Sequence, residues 1–149
     1  MGQQQLLLVI LVTIIVGIAT VVAINTFGSA ADSAAQDSVR QDLASIAASA
    51  QGYYMRPEML GGGGRTFERI TFNNIAFGGN VIDAQNAENE NGTYTMPEVT
   101  GEDDDFIVTA IVNDTNESEI QARVCADGMV MGEIGGGAPD NCDGSPDSD

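Results

Sequence analysis

The chain contains no lysine, no histidine and no tryptophan, and its five arginines face 22 acidic residues, for a formal charge of -17. Each absence excludes something. Without clustered Lys and Arg there is nothing to neutralise a phosphate backbone, so nucleic-acid binding is not expected as a main activity. Adhesion to anionic lipid headgroups is disfavoured for the same reason. Lack of histidine removes the commonest general base and the commonest transition-metal ligand. Ser, Asp and Glu are plentiful, yet none has an evident activating base beside it. The expectation is therefore a protein that is not an enzyme and holds neither cofactor nor metal. Acidity without lysine fits a surface adapted to high salt, where screening relieves self-repulsion, and equally an ordinary acidic extracellular protein.

Charge is also absent locally. The opening stretch MGQQQLLLVILVTIIVGIATVVAIN has no ionisable side chain, and the first charged residue is Asp32. Leu6 to Ile24 is apolar apart from Thr13 and Thr20, close to the ~20 residues that cross a bilayer as a helix. A secretory signal would have a basic start, a shorter apolar core and a small-residue cleavage site. The pattern predicts instead a retained spanning helix over residues 3–27. With no basic residue ahead of it, the positive-inside count gives no orientation. The only two cysteines, Cys125 and Cys142, lie on one side of that segment. They suit a disulfide in an oxidising compartment, which places the bulk of the chain outside the cytoplasm; the alternatives are two free thiols or half a metal site.

No proline occurs before Pro57, so the helix is expected to run from about Gln4 to about Tyr54, some ~75 Å at 1.5 Å per residue. Residues 28–55 form an amphipathic extension. Val39, Leu43, Ile46, Ala47, Ala50 and Tyr54 recur at spacings of three and four, opposite Asp37, Arg40, Gln41, Ser45 and Gln51. That stripe is expected to lean on a small head. Gly17 and Gly28 are points where the helix can bend, each costing roughly 1 kcal/mol against Ala. Leu6, Leu7, Val9, Ile10, Ile14, Gly17, Ile18 and Val21 line the lower half, where Gly17, Ala19 and Ala23 allow close approach of another helix. The lower half is either a lipid anchor only, or a surface that later packs on copies of itself.

Residues 56–142 form the head. Pro57 ends the helix, and Gly61 to Gly64 read as a flexible turn; a P-loop would need a following Lys and Ser/Thr. Residues 73–91 read as irregular loop with short strand pieces. TYTMPEV, FIVTAIVN, EIQARVCA and MVMGEI are β-rich runs separated by turn clusters, predicting an antiparallel sheet of three or four strands in chain order. Both faces of FIVTAIVN are fairly apolar, so one is expected to meet the helix and the other loops or neighbouring subunits. Linking Cys125 to Cys142 would close a loop of about 16 residues, stabilising by roughly 3 kcal/mol. Residues 143–149 read as a disordered acidic tail. The fold class is α+β.

Asp103, Asp104 and Asp105, and Asp140, Asn141 and Asp143, are oxygen-rich clusters, but neither has the spacing of a known Ca2+ loop, and solvated turns explain them better. Asn91, Asn113 and Asn116 begin N-glycosylation acceptor patterns that arise often by chance in Asn-rich loops.

A neutral start ending in Gly2, an uninterrupted apolar helix, its amphipathic extension, a Gly-rich loop, a β-meander and a C-terminal cysteine pair together resemble a type IV pilin. In that family a dedicated peptidase on the cytoplasmic face cuts after a Gly just before the apolar run. The resemblance implies processing between Gly2 and Gln3, with residues 1–2 as a leader and residence in the cytoplasmic membrane before assembly. It then implies a homo-oligomeric helical filament on the cell surface, assembled by pilus machinery, with the apolar helices bundled in its core. The implied function is a structural subunit serving attachment or surface motility. The alternatives are a pseudopilin of a secretion machine and a membrane-tethered binding domain that never polymerises. The family usually carries Glu at the fifth mature position, where this chain has Leu7; Gln3, Gln4 and Gln5 can offer neutral hydrogen bonds there instead.

Overall fold

The computed structural model describes residues 2–101, 104–114 and 116–142. It divides into two compact units, residues 1–34 and 35–149. A single α-helix, α1, covers Gly2–Met55. Neither Gly17 nor Gly28 interrupts it. A chain with no proline before position 57 and an almost continuous supply of Leu, Ile, Val and Ala has nothing to break the hydrogen-bond ladder.

In the first unit, α1 buries nothing. In the second, its remaining turns lie on a six-stranded antiparallel sheet whose strands are in chain order: β1 (Asn80–Val81), β2 (Asn86–Glu88), β3 (Gly92–Thr95), β4 (Asp105–Val112), β5 (Glu119–Cys125) and β6 (Met129–Met131). The sheet is thus wider than the three or four strands expected. The added strands, β1 and β2, are the short strand pieces expected within residues 73–91, and their pairing extends the sheet beyond β3. Asp83 explains the β1–β2 turn: its carboxylate accepts from the backbone N–H of Gln85 and of Asn86 and from the Asn86 amide.

The core lies between α1 and the sheet. Val39, Leu43, Ile46, Ala47, Ala50 and Tyr53 of α1 are buried. Phe106, Val108, Ala110 and Val112 of β4 and Ile120, Ala122 and Val124 of β5 face them. The stripe ends on Tyr53 rather than Tyr54. Tyr53 is buried and donates its hydroxyl to the Glu68 carbonyl, while Tyr54 is half-buried and donates to Asp104. The period of three and four reaches both positions, and the loop that follows the helix selects between them. The outer face of β4 is the more open one: Ile107 and Thr109 are half-buried and Ile111 is exposed.

The glycine run is a fitted turn rather than a slack one. The N–H groups of Gly63, Gly64 and Arg65 donate to the carbonyls of Tyr53, Arg56 and Tyr54 at the end of the helix, where carbonyls run out of intrahelical donors. A Cβ on Gly63 would lie 1.9 Å from the Thr66 carbonyl oxygen. Glycine is needed there for space, not for motion.

Cys125, at the end of β5, and Cys142 form a disulfide with Cα atoms 6.0 Å apart. The bridge ties the segment after β6 back to the sheet. Arg123 strengthens the tie, donating to the Pro139 carbonyl and pairing with Asp105.

Candidate assembly surface

The site with most to do is the bare side of α1. Leu6, Leu7, Ile10, Ile14, Ile18 and Val21 are each about half exposed or more, and so are the apolar residues between them. Phe27 is 76% exposed. None of the most apolar window of the helix is buried, and by length and composition the helix can cross a membrane. Apolar residues point in every direction around this part of the helix, with no polar stripe to face water. Gly17 faces open space: a Cβ built there would meet nothing within 4 Å.

The three threonines on this surface are already occupied. Thr13, Thr20 and Thr26 donate their hydroxyls to the carbonyls of Ile10, Val16 and Val22 on the same helix. Such internal bonds let hydroxyls enter a water-free environment without an unpaired donor. The expected processing residues, Gly2 and Gln3, are in the first helical turn and exposed; Met1 lies outside the described residues.

In the second unit the polar interactions build the head. Asp42 is the hub that sequence reading missed. Its Oδ2 accepts from the Tyr94 hydroxyl (2.6 Å), the Asn91 amide (2.7 Å) and the Asn89 amide (2.8 Å). Burial acts to raise the Asp42 carboxyl, but the hydrogen bonds from Asn91, Tyr94 and Asn89 outweigh it and hold it below its ordinary value. Tyr94 is fully buried, and burial followed by the Asp42 bond and charge pushes its phenol strongly upward. This network anchors β2 and β3 to α1. The only cue in the sequence was an acidic residue one step from the apolar stripe.

A second polar cluster closes the β4–β5 hairpin. Asp114 accepts from the Ser118 and Asn116 backbone N–H groups, and Gln36 of α1 donates to it. Bonds from Ser118, side chain first and backbone next, and from Gln36 and Asn116 lower its carboxyl to about 2.

Of the acceptor asparagines, Asn91 is half-buried with its amide nitrogen committed to Asp42, while Asn113 and Asn116 are exposed. Thr115, which completes the Asn113 pattern, lies outside the described residues. So do Asp103 and Asp143 of the two oxygen-rich clusters and the 143–149 tail. Asp104 is taken by Tyr54 and Asp105 by Arg123. Among the described residues no group of three or more Cys, Asp or Glu is placed to hold a metal ion.

No protein family, curated protein or solved structure matches the chain.

Proposed function

We propose that this chain is the structural subunit of a type IV pilus-like extracellular filament. Residues 3–27 hold it in the cytoplasmic membrane before assembly and then pack against the same residues of other copies. The observation that carries this reading is the apolar helix surface, exposed on every side and free of charge from Gly2 to Ala31. At 1.5 Å per residue a charge-free helix of that length is about 45 Å long, against a hydrocarbon core of ~30 Å. A lipid anchor alone does not require the excess. A protein bundle can bury all of it, with Gly17, Ala19 and Ala23 allowing close helix approach.

Two further features support the reading. The disulfide-closed head suits an oxidising compartment. The absence of ionisable side chains near the start, Leu7 included, leaves the amino group freed at Gln3 as the one charge to accommodate, and cyclisation of Gln3 to pyroglutamate removes it. Attachment or surface motility is the role that such a filament serves. Its partners are other copies of the chain, a prepilin peptidase acting between Gly2 and Gln3, and the assembly machinery.

The test is mass spectrometry of the N-terminal peptide in material sheared from cells and in the membrane fraction. Sheared filaments whose chain begins at Gln3, as glutamine or pyroglutamate, are expected. A chain confined to membranes and still beginning at Met1 would contradict the proposal.

A further inference from the structure

Asn-Gly occurs once in the chain, at Asn91-Gly92, where the β2–β3 turn enters β3. The dipeptide has a chemistry of its own. The backbone nitrogen of the glycine can attack the side-chain amide of the asparagine, because no Cβ on the glycine stands in the way. A bond forms from Gly92 N to Asn91 Cγ, the Cγ–Nδ2 bond breaks, and ammonia leaves with the proton that Gly92 N gives up. Water then opens the resulting cyclic imide at either carbonyl, leaving aspartate or isoaspartate.

The fold asks for both residues. A Cβ on Gly92 would collide with the Ile111 carbonyl oxygen of β4, so glycine is needed for space. Asn91 serves as a donor, its amide nitrogen lying 2.7 Å from Asp42 Oδ2. The reactive pair is then tied down atom by atom. Gly92 N–H, the attacking group, donates to Asn89 Oδ1 at 3.1 Å. Asn91 N–H donates to the same oxygen, and the Asn91 carbonyl accepts from Asn113 N–H. Gly92 is buried, pairs with Val112 of β4 and accepts from Asn89 N–H through its carbonyl. The Asn89 side chain is fixed in turn by its own bond to Asp42.

Ring closure therefore requires Gly92 N to leave Asn89, and the Asn91 side chain to leave Asp42 and swing onto its own backbone. Asp42 gives the reaction no help. Against the upward pull of burial, its hydrogen bonds leave its carboxyl below the ordinary value, so it is ionised and has no proton for the departing nitrogen.

We infer that Asn91 is a latent deamidation site, kept closed by the Asp42–Asn89 clamp and released when β3 comes away from α1. The change is one-way. Aspartate at 91 sets a carboxylate against Asp42 where an amide had donated, and like charges repel. Isoaspartate adds a carbon to the backbone beside Gly92 and moves β3 out of register with Val112. Deamidation thus marks heads that have opened, whatever the apolar helix is doing.

The experiment incubates full-length, detergent-solubilised chain in buffer and in guanidinium chloride, and follows Asn91 by peptide mass spectrometry with isoaspartate detection. Folded wild type is expected to lose Asn91 at least about tenfold more slowly than unfolded chain. Asp42→Ala removes the clamp, whereas Val108→Ala weakens the core and leaves every group of the clamp in place. In buffer, Asp42→Ala is expected to lose Asn91 on the order of tenfold faster than Val108→Ala. If circular dichroism shows Asp42→Ala unfolded, Asn89→Ala, which removes the acceptor of Gly92 N–H, takes its place under the same expectation. Wild type that reacts as fast folded as unfolded overturns the inference. A folded clamp variant that reacts no faster than Val108→Ala overturns it too, since general loosening of the head would then be enough.

Discussion

Residues 2–34 and 35–55 belong to one helix and obey different rules. In the first stretch apolar residues go all the way round and none is buried; in the second they form a stripe, and the stripe is the core of the head. The difference lies in what each segment is built to meet. An amphipathic stripe finds its partner within its own chain. An all-round apolar surface has no such partner there; on the proposed filament reading it is covered from outside the chain, by lipid first and by other copies later. The packed core is therefore concentrated in one unit and the uncovered apolar surface in the other.

The sharpest contrast comes from matched truncations. Leu43→Ala removes a fully buried side chain and is expected to cost about 2–5 kcal/mol of head stability. Ile14→Ala, on the bare surface, is expected to leave the melting temperature of detergent-solubilised protein unchanged while reducing filament yield. Thermal unfolding followed by circular dichroism, alongside shearing, reads both. Equal effects on the head would break the comparison.

Next in size is the disulfide. Replacing Cys125 and Cys142 together by Ser frees the loop between them and is expected to cost roughly 3 kcal/mol, measurable by urea unfolding. Tyr94→Phe follows: it removes the shortest bond to Asp42 but leaves the carboxylate its Asn89 and Asn91 donors, for a loss of about 1–2 kcal/mol.

The smallest effect is on pH dependence. Asp114 has its carboxyl lowered from 3.8 to about 2 in the fold, and Asp42 is lowered as well. A depressed carboxyl contributes stability that is present above its unfolded value and lost as pH falls through the folded one. Head stability is therefore expected to decline between about pH 4 and 2. Asp114→Asn should flatten that decline, as pH-dependent urea midpoints would show. The exposed helix surface, which has no ionisable side chain, contributes nothing to this window.

Much of the architecture was legible because it rests on period and punctuation. The missing prolines up to position 57, the three-four spacing from Val39 to Ala50 and the β-rich runs around Val108 and Ala122 each encode their element locally. What was illegible depends on distant partners. The Asn-rich stretch 73–91 signals short strand pieces but not where they pair; β2 joins the sheet through β3, with Asp42 holding Asn89 and Asn91 beside it. The inward turn of Tyr53 rather than Tyr54 is decided by the Glu68 carbonyl, fifteen residues on. The role of the glycine run was missed because glycine signals freedom in a sequence, and close backbone contact becomes visible only in three dimensions. The bare apolar surface was the most readable feature of all, since absence of charge needs no partner to be recognised.

The account's central claim is that copies of residues 6–27 cover one another. Electron cryomicroscopy of material sheared from cells tests it most directly. The account predicts a helical filament with these residues packed against their counterparts at its centre and the β-sheet heads on the outside. Filaments in which this helix is missing or lies apart from its copies would contradict it.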